Sequence, residues 1–151
     1  MQSSSPLVNT QSCIRGADDA LTTSAYVFIS DNQVLMTSAS SSFGIKVTAG
    51  SGPGSSVNAA VINNSVNTAT LGAFPTSGAF FTSSTGTSKV CLTLNNNTAI
   101  NPPSTTAFGF STADTGMINI ESIGENIGGP ISTLSTAGNG TYFVAPDSCG
   151  N

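Results

Sequence analysis

Seven carboxylates are the side chains of this sequence best suited to acid–base chemistry. Asp18 and Asp19 are adjacent, and Glu121 and Glu125 are four residues apart. A glycosidase needs two carboxyl groups that face each other across one cleft. Nothing in the sequence brings either pair into such a cleft, so a hydrolase is the least favoured of the functions considered for this chain.

The chain contains no histidine, which is the most common catalytic base near neutral pH. Ser-His-Asp and Cys-His arrangements are therefore impossible, and zinc loses its commonest nitrogen ligand. A Ser-Lys dyad could use Lys46 or Lys89, but both alternate with apolar residues as solvent-side positions of strands, where lysine usually serves solubility. We predict that the protein is not an enzyme.

Calcium is the one cofactor that the sequence leaves open. Its best candidate ligands are Asp18, Asp19, Asp31 and Asn32, because Ca²⁺ prefers carboxylate and amide oxygens in flexible loops. The chain has no EF-hand loop, and a capping or turn role suits each of these residues as well. No other cofactor is expected.

The cysteines are Cys13, Cys91 and Cys149, so at most one intramolecular disulfide forms and one thiol is left over. Cys91 alternates with the apolar residues of segment 89–94, which puts it on the less buried face of its strand. A disulfide is plausible there, since a bare thiol is unusual on such a face. Three reduced cysteines without a role are the alternative for a protein that matures in a reducing compartment.

Carbohydrate could be attached to this chain or bound by it. Three Asn-x-Ser/Thr acceptor patterns begin at Asn63, Asn96 and Asn139, all in predicted turns. Such matches arise readily by chance in a sequence so rich in Asn and Thr, so they are weak evidence of glycosylation. For binding, there is no Trp, and Tyr26 and Tyr142 lie inside predicted strands, where we expect half-buried sheet residues rather than a sugar platform.

Charge is scarce in the 151 residues, with three basic and seven acidic side chains and a sequence pI near 4.1. Binding to a phosphate backbone needs several Lys or Arg contacts, so nucleic acid is excluded as a partner. No apolar window is long enough to insert into a membrane as a helix. The first residues lack the pattern of a signal peptide, so we expect either a mature form with an added Met or a protein that reaches its destination without a signal, as virion proteins do.

The clearest local signal is a pair of β-prone runs, 26–30 and 33–37, separated by Asp31 and Asn32. Two residues that tolerate positive φ between two such runs predict a tight β-hairpin. Asn139-Gly140 predicts a second hairpin near the C-terminus for the same reason.

Strict apolar and polar alternation in segments 43–48, 89–94 and 116–121 predicts strands with one buried and one wet face. Frequent turn signals leave no room for long helices. We predict an all-β fold, a two-layer β-sandwich or jelly-roll-like domain of about eight to ten short, mostly antiparallel strands. Three similar four-residue segments, each containing Thr-Ala, recur at unequal separations. We therefore interpret them as turns of similar sequence rather than as the period of a solenoid.

Composition then favours a structural role. The chain has 24 Ser, 20 Thr and 14 Asn, and sheet edges of uncharged polar residues readily accept another strand. We expect a self-assembling subunit of an extracellular filament, such as a pilus or fibre, or of a virion surface, with copies of itself as partners. The alternative is an adhesin or a receptor- or carbohydrate-binding module.

Residues 21–151 are expected to form one β domain, and residues 1–20 an N-terminal arm. Leu7, Val8 and Ile14 are apolar residues of this segment without a nearby partner in sequence. An arm of this kind can add a strand to the sheet edge of a neighbouring subunit. A frayed tail without a role is the alternative.

Overall fold

The computed structural model describes residues 12–18, 24–36, 43–50, 54–68, 78–100, 107–123, 125–128, 131–138 and 141–144. Within these ranges the structure consists of strands and short corners, without a helix. The strands are β1 Ser12–Asp18, β2 Ser24–Ser30, β3 Gln33–Leu35, β4 Phe43–Ala49, β5 Ser56–Ile62, β6 Ser65–Asn67, β7 Gly78–Ser84, β8 Lys89–Asn95, β9 Thr98–Ile100, β10 Phe108–Asp114, β11 Met117–Ile123, β12 Ile131–Gly138 and β13 Thr141–Val144.

All strand pairs are parallel, and they form three sheets. Sheet A has the order β1-β4-β7-β10-β12, sheet B the order β13-β11-β8-β5-β2, and sheet C the order β3-β6-β9. The chain therefore visits A, B and C in turn and then starts the next coil on top of the previous one. In the fourth coil, an isolated bridge from Ile127 to Thr98 takes the place of a strand in sheet C. This arrangement is a parallel β-helix, a solenoid whose coils stack along one axis.

The core fills the interior of the solenoid with stacks of like residues. Ile45, Phe80 and Phe108 are register partners in sheet A, and each is at most 3% exposed. The rings of Phe80 and Phe108 stack with centroids 4.9 Å apart. In sheet B, Val90 and Ile118 form an equivalent stack and are fully buried. Burial of each such side chain stabilises the fold by about 1.5–3 kcal/mol.

The prediction of an all-β fold is confirmed for the described residues, but the prediction of a mostly antiparallel two-layer sandwich is wrong. The predicted hairpin around Asp31 is also wrong, because β2 belongs to sheet B and β3 to sheet C. Asp31 does have positive φ, at 57°. This conformation turns the chain from one sheet into the next instead of reversing it against itself.

The second predicted hairpin fails in the same way. β12 lies in sheet A and β13 in sheet B, so the two strands do not pair with each other. The dismissal of a solenoid period was wrong as well. Successive coils bring together residues 32, 33 and 29 positions apart, and unequal turn lengths between the sheets hide this period.

The predicted period-two alternation is confirmed in β4; in β8, Val90 and Leu92 are buried as predicted, but Cys91 between them is buried as well. Ile45 and Val47 are each 1% exposed, while Lys46 between them is half-buried. The described part of the predicted arm is β1, which pairs with β4 at the edge of sheet A. Within β1, Ile14 packs against the core of its own chain; residues 1–11 of the arm lie outside the described part.

Candidate functional site

Four asparagines line up at the corner where the chain leaves sheet B. Asn32, Asn64 and Asn97 are buried, and Asn126 is partly buried. The residue before each of the first three is exposed and has a left-handed backbone, with φ of 57°, 57° and 54° at Asp31, Asn63 and Asn96. Asn and Asp tolerate this conformation better than other residues with a side chain. The local sequence thus supplies a turning residue and then an inward amide in successive coils.

The amides hydrogen-bond from coil to coil. Asn32 Nδ2 donates to Asn64 Oδ1 at 2.9 Å, Asn64 Nδ2 to Asn97 Oδ1 at 3.0 Å, and Asn97 Nδ2 to Asn126 Oδ1 at 3.0 Å. Each accepting oxygen also receives the backbone N–H of the asparagine that donates to it, at 3.0–3.1 Å. We call this row the asparagine ladder. Its amides are engaged with one another and with the backbone, so its chemistry is structural.

Two of the residues predicted to bind calcium, Asn32 and Asp31, instead make hydrogen bonds at the asparagine ladder. Asn32 is 6% exposed and donates through Nδ2 to Ser30 O and to Asn64. Asp31 is exposed, and its Oδ1 accepts a hydrogen bond from Asn63 Nδ2 at 3.3 Å. The side chain of Asp18 and the whole of Asp19 lie outside the described part. Among the described residues, no group of three or more His, Cys, Asp or Glu side chains could hold a metal ion.

Serines occupy a second buried corner, between sheets A and B. Ser88 is 1% exposed, and its Oγ donates to Thr85 O at 2.5 Å and lies 3.0 Å from Ser84 Oγ. Ser84 Oγ in turn accepts from the backbone N–H of Met117 in the next coil, at 3.2 Å. Gly116 precedes that residue, and a Cβ atom there would lie 2.5 Å from the carbonyl oxygen of Ser84. These contacts fix the second corner as the ladder fixes the first.

A shallow groove runs over the outward face of sheet B, and we call it the aromatic groove. It is open to solvent and has a volume of about 280 Å³. Six outward side chains of the described residues line it: Tyr26, Phe28, Asn58, Ala60, Cys91 and Thr93. Tyr26 is 83% exposed and Phe28 68% exposed. The expectation that Tyr26 is half-buried is therefore wrong; the side chain of Tyr142 lies outside the described part.

Cys91 forms a disulfide bond. Its side chain faces away from the core, as predicted, but it is only 4% exposed. The bonding partner must be Cys13 or Cys149, since the chain has three cysteines, and the side chains of both lie outside the described part. The disulfide thus borders one end of the aromatic groove.

The predicted acid–base residues do not converge on this groove. Lys46 lies on sheet A, where its Nζ is 5.8 and 5.7 Å from the ring centroids of Phe43 and Phe81. Those rings stack on each other at 4.1 Å, so the contact is a cation–π interaction that covers apolar surface. Lys89 lies on sheet B in register with Ser56, outside the groove lining. Glu125 is exposed, and the side chain of Glu121 lies outside the described part.

Two of the three glycosylation candidates, Asn63 and Asn96, are exposed corner residues beside the asparagine ladder. Asn139 lies outside the described part. The Asn-Asn-Ser and Asn-Asn-Thr patterns that produced these candidates have a structural origin, because a turning Asn and a ladder Asn precede a polar strand residue. The repeated pair of an acidic or amide residue followed by Asn was the signal that could have revealed the coils.

Comparisons with known proteins give no assignment. No family model matches the chain, and neither a curated protein nor a solved structure matches it significantly. The described part of the chain contains no helix that could span a membrane.

Proposed function

We propose that this chain is a structural subunit that assembles head to tail into an extracellular filament or a virion surface layer. The observation that carries the proposal is the all-parallel solenoid, whose two ends present different sheet edges. β1 and β2 are edge strands at one end, and β12 and β13 are edge strands at the other. A second copy added in the same direction would continue each sheet in parallel. Such a heterologous contact does not close on itself, so it generates a filament.

The chemistry of β2 supports this mode of contact. Its seven residues, Ser24–Ser30, include no charge and no proline, the two devices that commonly protect an edge strand. Ala25 and Val27 face the core but are only partly buried, whereas their register partners Val57 and Ala59 in the next coil are buried. The first coil thus leaves apolar surface at the end of the solenoid, and the last coil of another copy would cover it.

An oxidising compartment suits the same proposal. The disulfide of Cys91 is stable outside the cytosol and rare inside it. A net charge of −4 over 151 residues gives little repulsion between copies. The disulfide therefore favours a location on a cell surface, in an extracellular fibre or on a virion, and the low net charge favours close packing of copies there.

Sedimentation velocity over about a hundredfold range of concentration, with negative-stain microscopy of the most concentrated sample, tests assembly. We expect the mean mass to grow with concentration and short filaments to appear. Ala25→Lys places a charge at the proposed contact and should shift the distribution to monomers. Ile100→Lys is the control, because Ile100 is 40% exposed on β9 in sheet C, outside the strands β1, β2, β12 and β13 of the proposed contact. Circular dichroism verifies that both variants keep the fold.

A wild-type protein that stays monomeric throughout would contradict the proposal. Equal assembly of the Ala25→Lys variant and the control would exclude the β2 end as the contact.

The second candidate function, an adhesin or binding module, is favoured by one specific observation. Tyr26 and Phe28 stand on the outward face of sheet B, 83% and 68% exposed. A head-to-tail contact extends the sheets along the solenoid axis, so it places a strand of the next copy beside β2 but leaves the outward face of sheet B towards solvent. The aromatic groove would stay accessible along the side of such an assembly.

A further inference from the structure

We propose that the aromatic groove binds a neutral saccharide chain. Two rows of residues that cross the strands of sheet B form it. Tyr26, Asn58 and Cys91 are register partners in one row, and Phe28, Ala60 and Thr93 are partners in the other. Neighbouring strands are about 4.8 Å apart, and the two rows are separated by about 6.6 Å along the strands. The two rings therefore stand side by side on the edge strand β2.

The shape of the groove follows from the sizes of the side chains that line it. Ala60 ends at Cβ, directly beside Phe28, and Thr93 is short. The rings of Tyr26 and Phe28 thus form one wall, and the small residues of β5 and β8 form the floor. A volume of about 280 Å³ is just below the range of about 300–1,000 Å³ that is usual for sites enclosing a whole ligand. An open groove of this size suits a short stretch of a longer chain.

The polarity of the lining selects the class of ligand. Among the described residues, none that lines the groove is charged, so they offer no opposite charge to a phosphate, a carboxylate or an ammonium group. What the groove offers is two aromatic faces, an amide with donors and an acceptor at Asn58, and hydroxyls at Tyr26 and Thr93.

Neutral sugars match this combination. A pyranose has an apolar face of C–H groups that packs on an aromatic ring, and hydroxyls at its edge that exchange hydrogen bonds with amides and hydroxyls. The backbone of β2 is already fixed by the sheet, so the entropy lost when a sugar binds is confined to the two side chains and the ligand. This site uses the outward face of sheet B, whereas head-to-tail assembly uses the main-chain edge of β2, so the two contacts can be tested separately.

Saturation-transfer NMR and titration calorimetry with four hexasaccharides test the proposal. Cellohexaose, mannohexaose and N-acetylchitohexaose are neutral probes, and hexagalacturonate is the acidic probe. The assay uses the full chain in both the wild-type and the Ala25→Lys background, so that assembly does not mask binding. We expect at least one neutral probe to receive saturation at its ring C–H protons and to bind more tightly than hexagalacturonate.

Tyr26→Ser and Phe28→Ser should each weaken that binding about tenfold, which corresponds to about 1.4 kcal/mol. Both side chains are largely exposed, so we expect these variants to fold. Leu35→Ser is the matched control, since Leu35 is an apolar residue, 42% exposed, on β3 of the same coil but in sheet C. It should bind the probe like the wild type.

The proposal is overturned if none of the neutral probes binds, if only hexagalacturonate binds, or if both serine variants bind as tightly as the control. It is also overturned if Tyr26→Ser lowers the sedimenting mass without changing saccharide affinity, because the groove would then be an interface between copies.

Discussion

Replacement of Asn64 by alanine should destabilise the protein more than the loss of any ordinary surface asparagine. Asn64 is 1% exposed and lies in the middle of the asparagine ladder. Its Nδ2 donates to Ile29 O, Ile62 O and Asn97 Oδ1, each at 3.0 Å. Its Oδ1 accepts from the backbone and side-chain nitrogens of Asn32 at 3.1 and 2.9 Å. Alanine removes all of these bonds at once.

The size of the effect follows from the groups left behind. The backbone N–H of Asn32 loses its acceptor at a buried corner, and Ile29 O loses its donor from the next coil. Each unsatisfied buried group costs about 1–3 kcal/mol. With the cavity left by the amide, we expect a loss of about 4 kcal/mol, a large part of the total stability of about 5–15 kcal/mol that is typical of a domain.

Urea unfolding followed by circular dichroism measures this loss, with Asn63→Gly as the matched control. Asn63 is the preceding residue and is exposed; its side chain donates one long hydrogen bond to Asp31, and its backbone N–H bond to Asn95 O would remain in the glycine variant. Glycine keeps its positive φ of 57° without strain, so we expect a change of less than about 1 kcal/mol. If Asn64→Ala does not fold, Asn126→Ala at the partly buried end of the ladder should still fold, with a loss of about 1–2 kcal/mol. A loss for Asn64→Ala within about 1 kcal/mol of the control would refute the structural role of the ladder.

The remaining predictions concern the disulfide and two glycines. Cys91 should pair with Cys149. The alternative partner, Cys13, lies on β1, which is two coils and therefore about 10 Å along the axis from β8. The Cα atoms of bonded cysteines are at most about 7 Å apart. Peptide mapping without reduction checks this pairing, and a peptide joining Cys13 to Cys91 would disprove it. Gly116→Ala should cost about 3 kcal/mol, because the new Cβ meets backbone of the neighbouring coil. Gly54→Ala should cost only about 1–2 kcal/mol, because it meets no atom within 4 Å and only its φ of 78° is unfavourable. The reverse order in urea midpoints would contradict this explanation.

The sequence was informative about where strands run and which way their residues face. The alternation around Ile45 and Val47 identified the inward positions of β4, and the same pattern identified those of β8. These features depend on neighbours within one strand, and local pattern is sufficient to predict them. The short segments around Asp31 and Asn63 were also recognised as turns.

The parallel direction of strand pairing could not be predicted from this local pattern. Parallel sheets usually have both faces covered and therefore show continuous apolar runs, whereas one-sided alternation is typical of antiparallel sheets. In a solenoid, a parallel sheet has one face on the core and the other in solvent, so its strands carry the antiparallel signature. The evidence against hairpins was instead long-range: Asn32, Asn64 and Asn97 recur at intervals of 32 and 33 residues.

The groove was missed for a related reason. A tyrosine inside a β-prone run was assumed to be half-buried, which is the usual result when a strand lies between neighbours in a sandwich. Tyr26 instead lies on the edge strand of a one-sided sheet, where an outward residue has a covering neighbour on one side at most. Exposure of this kind depends on strand order, which alternation within one strand does not encode.

On the outward face of a solenoid, side chains that stabilise the fold can be distinguished from side chains that do not. Coil stacking is secured from inside, by the apolar stacks and the two buried corners, so an outward side chain need only be soluble. Where an outward ring does serve the fold, it is covered: Phe81 on sheet A stacks against Phe43 and lies beneath Lys46. Tyr26 and Phe28 have no comparable cover, being 83% and 68% exposed on an edge strand. Two adjacent rings that contribute so little to folding are better explained by contact with another molecule, and this is why the saccharide assay is directed at them.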